Sequence, residues 1–251
     1  MKNAFLNGKA LIAFITCGDP DLETTKELIK TLDENGADII ELGMPFSDPV
    51  AEGPVIQSAN VRSLQGGCTT DKIFDMVSEV SKSVKAPIIL TTYTNVVFSY
   101  GIERFFKKAS EIGIKGIVIP DIPYEEKEEF SVPCEKFGID YISVVASTSE
   151  KRVEMIAKES KGFVLCTSTL AADEEREKRY IFNMARDIRK VSDLPVVGGI
   201  DVSSFEQVKM LSPMVDGIVV DTMIVELVEK YKKDSPKYVA ELIKELKEMI
   251  K

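Results

Sequence analysis

The chain has 251 residues, of which 44% are hydrophobic, and it carries a formal net charge of −9. This length and apolar content suit one large domain or two small ones. The acidic balance, with lysines mixed among glutamates along helical segments, argues against nucleic acid or an anionic membrane as the partner, because either would need a basic patch.

The cysteine and histidine content indicates which metal sites and catalytic side chains the chain can have. The sequence has no histidine, and its four cysteines show no CxxC spacing. Without histidine the chain lacks a side chain that commonly binds zinc and commonly acts as general base, and we expect no bound metal and free thiols in a reducing compartment. The apolar run near the N-terminus is too short for a signal peptide or a spanning helix, which predicts a soluble cytoplasmic protein.

Apolar segments alternate with amphipathic ones along the whole chain. Short apolar runs predict strands over 10–16, 39–43, 87–92, 116–119, 141–145, 162–167, 195–197 and 217–220. Amphipathic segments predict helices over 21–34, 55–64, 70–80, 101–112, 125–137, 149–159, 181–191, 203–211 and from 221 to the end. Asp21 and Thr70 are the predicted N-caps of the first and third of these helices. The polar segment 168–180 is interpreted as a loop or a frayed helix start.

This alternation predicts the fold class. Strands that are apolar throughout are buried on both faces, and regular β/α alternation implies a parallel sheet with right-handed crossovers. Eight such units predict a single (β/α)₈ TIM barrel domain over residues 1–251, with functional groups on the loops that follow the strands. A doubly wound open sheet is the alternative, but it normally has fewer units and a glycine-rich first turn, whereas the first turn here reads CGDPD.

The segment 39–57, IIELGMPFSDPVAEGPVIQ, stands out because a buried strand ends in Glu41 and a proline-rich loop. A buried ionised acid is costly unless it finds hydrogen-bond donors or its pKa rises, and both outcomes suit proton transfer. The same loop carries Asp48 and Glu52. Spacing alone leaves open whether Asp48 only caps a turn and Glu52 is simply solvated.

This segment, together with AFITCGDPD, TTYTNVVFSYG, IPDIPYEE and DGIVV elsewhere, closely resembles tryptophan synthase alpha subunits. The matching motifs occur in order over nearly the whole chain. The resemblance implies a TIM barrel that cleaves indole-3-glycerol phosphate to indole and glyceraldehyde 3-phosphate in tryptophan biosynthesis. It also implies a beta-subunit partner in an alpha2-beta2 type complex. Pyridoxal phosphate is then expected only in that partner, and no cofactor is expected in this chain.

The resemblance also implies roles for individual residues. Glu41 takes the role of the acid/base and Glu52 that of the carboxylate at the indole nitrogen, where most of the family has aspartate. Phe14 and Tyr93 fall at positions that line the indole pocket, although ordinary barrel core is the alternative for both. The loops that face the beta subunit are matched by Pro45, Asp48 and Asp121.

The turns that hold the phosphate in the family differ most in this chain. The family binds the phosphate on backbone N–H groups of glycine-rich turns after strands six, seven and eight. Only Gly199 and the hydroxyl of Thr222 remain as substrate-binding candidates there, and the acidic replacements are Asp173, Glu174, Asp201 and Asp221. An aspartate at 4 Å from the phosphate would repel it by ~1 kcal/mol or more. A position on strand six that is usually tyrosine is occupied by Leu165.

Three functions stay open on the sequence alone. The first is the indole-3-glycerol-phosphate lyase, supported by Glu41 and the SDP block. The second is a non-catalytic barrel that binds and regulates a beta subunit through Pro45 and Asp48. The third is an aldolase-like enzyme for a non-phosphorylated substrate, to which Asp201 and Asp221 would bind.

Overall fold

A computed structural model of the chain describes residues 1–146, 149, 152–167, 174–199 and 202–251, without the side chains of 174–177. Its strands are β1 (Ala10–Thr16), β2 (Ile39–Gly43), β3 (Ile88–Thr91), β4 (Gly116–Val118), β5 (Asp140–Tyr141), β6 (Ser143–Ala146), β7 (Val164–Thr167), β8 (Val196–Gly198) and β9 (Gly217–Val220). Its α-helices are α1 (Leu22–Asn35), α2 (Pro54–Gln65), α3 (Thr70–Val80), α4 (Thr94–Tyr100), α5 (Ile102–Glu111), α6 (Glu128–Phe137), α7 (Val153–Glu159), α8 (Glu174–Arg189), α9 (Phe205–Leu211), α10 (Thr222–Tyr231) and α11 (Ser235–Met249).

The strands form one parallel sheet that curls into a nearly closed barrel. Their order is β5-β4-β3-β2-β1-β9-β8-β7-β6. The two edge strands are consecutive in the chain and are separated only by Ile142, so together they act as one bent strand. Its first part pairs with β4 and its second part with β7. The predicted TIM barrel is confirmed, and the predicted strand over 141–145 is divided into these two parts.

Period-2 alternation along the strands separates two layers of core. In β1 all seven residues are buried. Ile12 and Phe14 belong to the cluster inside the barrel, whereas Leu11 and Ala13 pack in the layer between the strands and the helices. Burying one such Ile or Leu side chain contributes roughly 1.5–3 kcal/mol. The side chains of this inner layer fill the interior of the barrel.

Glycine ends β2 because of its neighbour on β1. Gly43 pairs with Thr16, and a side chain at Gly43 would clash with the ring of Phe14. Phe14 in turn lies beside Glu41 in the strand register. The glycine therefore lets an aromatic ring lie flat next to the acid at the end of β2.

Helix boundaries follow local capping signals, with some corrections. The Asp21 side chain accepts a hydrogen bond from Thr24 N at 2.8 Å at the start of α1, as predicted. The cap of α3 is Thr69 rather than Thr70, because the Thr69 hydroxyl accepts from Lys72 N at 3.4 Å. The sequence prediction missed α4, which is short and is separated from α5 only by Gly101.

The later helices differ from prediction mainly in length. The predicted helix over 125–137 divides into a 3₁₀ turn (Tyr124–Glu126) and α6. The helix predicted over 149–159 is observed as α7 from Val153, and α8 starts at Glu174, inside the segment predicted as a loop or a frayed helix start. The rest of that segment, residues 168–173, lies outside the described residues.

The N-terminal end of the barrel is covered by a short 3₁₀ helix, Lys2–Phe5. The Phe5 ring lies 6.0 Å from the ring of Phe163, centroid to centroid, and both belong to the inner core or pack against it. The carboxyl ends of the strands are left as the open end. None of the helices in the described part of the chain is long and apolar enough to cross a membrane.

Candidate active site

A cavity of about 550 Å³ lies at the carboxyl ends of the strands. Parallel barrels place their functional groups at this end, and the volume is typical of small-molecule sites. Five of the residues predicted to bind or react line it: Phe14, Glu41, Glu52, Tyr93 and Gly199. The strand order thus brings together residues that are spread over more than half of the chain.

Glu41 is the inward-facing acid at the end of β2. It is only 4% exposed, and its Oε1 accepts a hydrogen bond from the Thr91 hydroxyl on β3. Glu41 Oε2 is buried and has no hydrogen-bond partner within the described ranges. Burial raises the pKa of the Glu41 carboxyl to about 7; the Thr91 hydrogen bond opposes this rise, and the charges of Asp221 and Glu52 add to it. The site therefore contains a carboxyl that exchanges its proton near neutral pH.

Glu52 lies across the cavity on the loop before α2. Its Oε2 accepts a hydrogen bond of 2.5 Å from Asn60 Nδ2, and it also interacts with the Tyr93 hydroxyl. The Tyr93 oxygen itself accepts from Ala51 N at 3.3 Å. Burial raises the pKa of the Tyr93 phenol, and the neighbouring Glu52 charge raises it further. Tyr93 is therefore neutral and able to donate to Glu52.

Apolar side chains form the walls between the two acids. The Tyr93 ring stacks on Phe46 with 5.1 Å between centroids and 26° between planes. The remaining apolar lining includes Phe14, Ile56, Val118, Leu165 and Val219. Flat apolar rings fit such walls, and the indole-binding role that the family resemblance implies for Phe14 and Tyr93 stays a prediction.

Asp221 is the third acid that faces the cavity. It precedes α10, and its Oδ1 accepts hydrogen bonds from Val202 N at 2.7 Å and from Thr222 N at 2.6 Å. These are backbone groups of the kind that bind anions at helix N-termini. The described residues that line the cavity include no Lys or Arg. The cavity is thus acidic where the sequence predicted the loss of a phosphate cup.

The other predicted phosphate-site residues are placed differently. Gly199 lines the cavity, and a Cβ there would lie 2.7 Å from Val219 Cβ, so packing alone requires glycine. Thr222 is buried at the first position of α10 and is not among the lining residues. Asp173 and Asp201 lie outside the described residues, and so does the side chain of Glu174.

The residues predicted to face a partner lie on the loops after β2 and β4. Pro45 is half-buried and lines a groove of about 430 Å³, whereas Asp48 is exposed and accepts a 2.5 Å hydrogen bond from the Ser47 hydroxyl. Asp121 accepts from Thr94 N at 3.1 and 3.2 Å, at the start of α4. Asp121 thus holds the start of α4, and its role toward a partner stays a prediction.

Sequence reasoning missed two residues of this site, Thr91 and Asn60. Thr91 is two positions beyond Ile89, which pairs with Glu41, so inward alternation along β3 could have indicated it. Asn60 is a polar residue among the buried positions of α2, next to Ala59. A buried amide on an apolar helix face is a signal that it has specific partners.

Comparisons with known proteins agree with this geometry. The family model of the tryptophan synthase alpha chain matches residues 2–251. The tryptophan synthase alpha chain of Lacticaseibacillus casei is 37% identical over 98% of this chain and 94% of its own length. That of Halalkalibacterium halodurans is 42% identical over 90% and 87%, respectively.

A solved structure gives the same result. A mutant tryptophan synthase alpha-subunit from Pyrococcus furiosus superposes with a TM-score of 0.87 and 31% identity, covering 96% of this chain and 99% of the other. The regulatory and aldolase-like alternatives gain no support from any of these matches. The chain belongs to the tryptophan synthase alpha chain family, whose members are carbon–carbon lyases of tryptophan biosynthesis.

Proposed function

We propose that this chain cleaves indole-3-glycerol phosphate by a retro-aldol reaction in which Glu41 transfers the protons. The observation that carries the proposal is the Glu41 carboxyl itself, which is buried at the cavity and has a pKa of about 7. A proton-transfer group works best when its pKa is close to the operating pH. Thr91 fixes one carboxyl oxygen, and the other, Oε2, has no hydrogen-bond partner among the described residues.

In the proposed reaction Glu41 acts first as a proton donor and then as a proton acceptor, so that it ends in its starting protonation state. Protonated Glu41 gives its proton to C3 of the indole ring, and positive charge develops at the ring nitrogen. The resulting Glu41 carboxylate then takes the proton of the side-chain hydroxyl as the bond between C3 and the glycerol carbon breaks. The electrons of that bond return to the ring, so indole and an aldehyde leave while Glu41 is protonated again.

Glu52 is the second carboxylate in this proposal. Positive charge at the ring nitrogen is stabilised by a fixed negative group within a poorly solvated site. Glu52 is held on the far side of the cavity by Asn60 and Tyr93. Proton transfer and charge stabilisation are sufficient for this cleavage, so the proposed reaction needs no cofactor in this chain.

Indole release from indole-3-glycerol phosphate is the direct test of this function. We expect measurable release by the parent chain and an increase when a beta subunit is added. Because the cycle starts from protonated Glu41, kcat/KM should fall as pH rises above about 7, approaching tenfold per pH unit. A profile that stays flat from pH 6 to pH 9 would contradict the assignment of Glu41 as the first proton donor.

We also propose that the loops of Pro45, Asp48 and Asp121 dock a beta subunit, since members of this family work with one. The exposed part of this surface includes Asp48, and Val50 beside it is 79% exposed. An exposed charge on a proline-rich loop can contribute to docking through electrostatic complementarity with the partner. Pyridoxal phosphate would then belong to the partner, in an alpha2-beta2 type complex.

The double variant Pro45→Ala, Asp48→Ala is expected to weaken association with a beta subunit by about tenfold, because it softens the loop and removes its exposed charge. Co-elution and calorimetric titration of parent and variant measure this. Leu6→Ala is the matched control, since Leu6 is 74% exposed at the opposite end of the barrel. If the parent associates with no beta subunit tested, the docking proposal is lost.

A further inference from the structure

The side chain of Asn60 makes three hydrogen bonds although it is only 2% exposed. Its Nδ2 donates to Glu52 Oε2 at 2.5 Å and to Ile56 O at 3.0 Å, and its Oδ1 accepts from Phe46 N at 3.0 Å. Both N–H groups and the oxygen of the amide are therefore in use. Rotation of the amide by 180° would place its oxygen against the Glu52 carboxylate and its NH₂ against the Phe46 N–H, so one orientation is fixed.

This fixed amide acts on an acid that is otherwise hard to hold in place. Glutamate has several rotatable bonds and loses considerable freedom when it is ordered. Glu52 lies on the loop that precedes α2, whereas Asn60 is anchored in the helix itself. A hydrogen bond to a carboxylate is roughly twice as strong as one between neutral groups. The helix thereby supplies a rigid donor for a carboxylate carried by a loop.

The same amide also fixes one wall of the cavity. Its oxygen holds the backbone of Phe46, and the Phe46 ring stacks on Tyr93. Tyr93 interacts with the same Glu52 carboxylate. Asn60 thus joins the acid and the aromatic wall that faces the ring of the substrate.

We infer that Asn60 is a positioning residue that sets the distance between the Glu52 carboxylate and the bound indole ring. The inference rests on the proposed function, in which Glu52 faces the ring nitrogen. The inferred role of Asn60 does not include the positioning of Glu41, which lies on β2 and is held by Thr91. Loss of the amide should therefore affect ring binding and charge stabilisation, and should leave the proton-transfer group in place.

Asn60→Asp is the sharpest test because it keeps the shape and the acceptor for Phe46 N but removes the donor to Glu52. We expect indole affinity, measured by calorimetry, and kcat/KM for indole-3-glycerol phosphate to fall about 10- to 100-fold. A purely structural role would lower thermal stability while the indole affinity and kcat/KM of the folded protein stay at the parent values.

Two further variants test whether the effect is specific to position 60 and whether the fold is kept. Asn35→Asp makes the same exchange on α1, where Asn35 Nδ2 donates to Thr31 O at 2.6 Å, and it should leave indole affinity unchanged. The double variant Asn60→Asp, Glu52→Gln exchanges donor and acceptor within the pair. It should recover the thermal midpoint lost in Asn60→Asp while turnover stays low.

The outcomes separate the inference from the proposed function. If the parent releases no indole from indole-3-glycerol phosphate, the proposed function fails, and indole affinity together with the recovered midpoint still decides the role of Asn60. If Asn60→Asp binds indole and turns over like the parent, the inference is overturned. Failure of the double variant to recover the midpoint, with Asn60→Asp destabilised, overturns it as well.

Discussion

Replacement of Glu41 by glutamine is expected to lower indole release by about 100-fold or more and to leave the fold intact. Glutamine has the same shape, and its carbonyl oxygen can still accept from the Thr91 hydroxyl. It cannot give or take the proton that both halves of the cleavage require. Steady-state indole release by parent and variant across the pH range measures the effect, and full turnover by the variant would end the assignment.

The same variant should be more stable than the parent at neutral and alkaline pH. The pKa of Glu41 is raised from an ordinary 4.5 to about 7, so between these values the folded state binds more protons than the unfolded state. Stability of the parent therefore falls as pH rises through this window. Glu41→Gln removes the penalty and should gain up to ~3 kcal/mol above pH 7 and nothing below pH 4.5.

Denaturant unfolding at pH 4 and pH 8 tests this stability change. Glu23→Gln is the matched control, because the Glu23 side chain is 84% exposed on α1 and its exchange should change stability little at either pH. Equal stability of parent and Glu41→Gln at pH 8 would show that the buried acid carries no desolvation penalty. Loss of activity together with a gain in stability is the signature of a strained functional group.

The fold was predictable because its signals are local and repeated. The observed limits of β1, β2 and β9 are those that the apolar runs predicted, and Asp21 caps α1 as expected. Each β/α unit carries its own pattern, so errors at one boundary do not spread to the next. The misplaced cap at Thr69 and the missed helix α4 changed neither the strand order nor the position of the site.

The site was predictable only in part because its contacts join distant segments. A strand end followed by a rigid loop indicated Glu41, and its neighbours Phe14 and Tyr93 followed from the family resemblance. The hydrogen bond from Asn60 to Glu52 depends on how α2 packs against the loop that precedes it, and hydrophobic periodicity does not predict that packing. Inward alternation along β3 could have indicated Thr91, but its contact with Glu41 depends on the register between β2 and β3.

Asp221 shows how a single exchange can reverse the electrostatics of a turn. Its carboxylate accepts from Val202 N and Thr222 N, the groups that an anion at the start of α10 would otherwise contact. It also raises the pKa of Glu41 through its charge. A phosphate at this turn therefore has to compete with an internal carboxylate and is repelled by it as well.

Two variants at Asp221 separate these effects on phosphate binding. Asp221→Asn removes the charge but keeps an oxygen that caps the helix, whereas Asp221→Gly also frees the two N–H groups. We expect affinity for inorganic phosphate to rise at least about fivefold in Asp221→Asn, since the repulsion is ~1 kcal/mol or more at 4 Å. Asp221→Gly should bind more tightly still, and calorimetry on the three proteins measures the order.

The salt and pH dependence of these variants identifies the cause of the gain in phosphate affinity. The gain in Asp221→Asn should shrink as salt rises, because screening weakens the repulsion in the parent, whereas the further gain from freed N–H groups should depend less on salt. Asp33→Asn is the control, because the Asp33 carboxylate also accepts from backbone N–H groups, those of Lys85 and Ala86, but lies outside the cavity lining.

Removing the Asp221 charge should also lower the pKa of Glu41 and move the alkaline limb of kcat/KM to lower pH. Tight phosphate binding by the parent, unchanged in both Asp221 variants, would place the phosphate elsewhere in the barrel mouth.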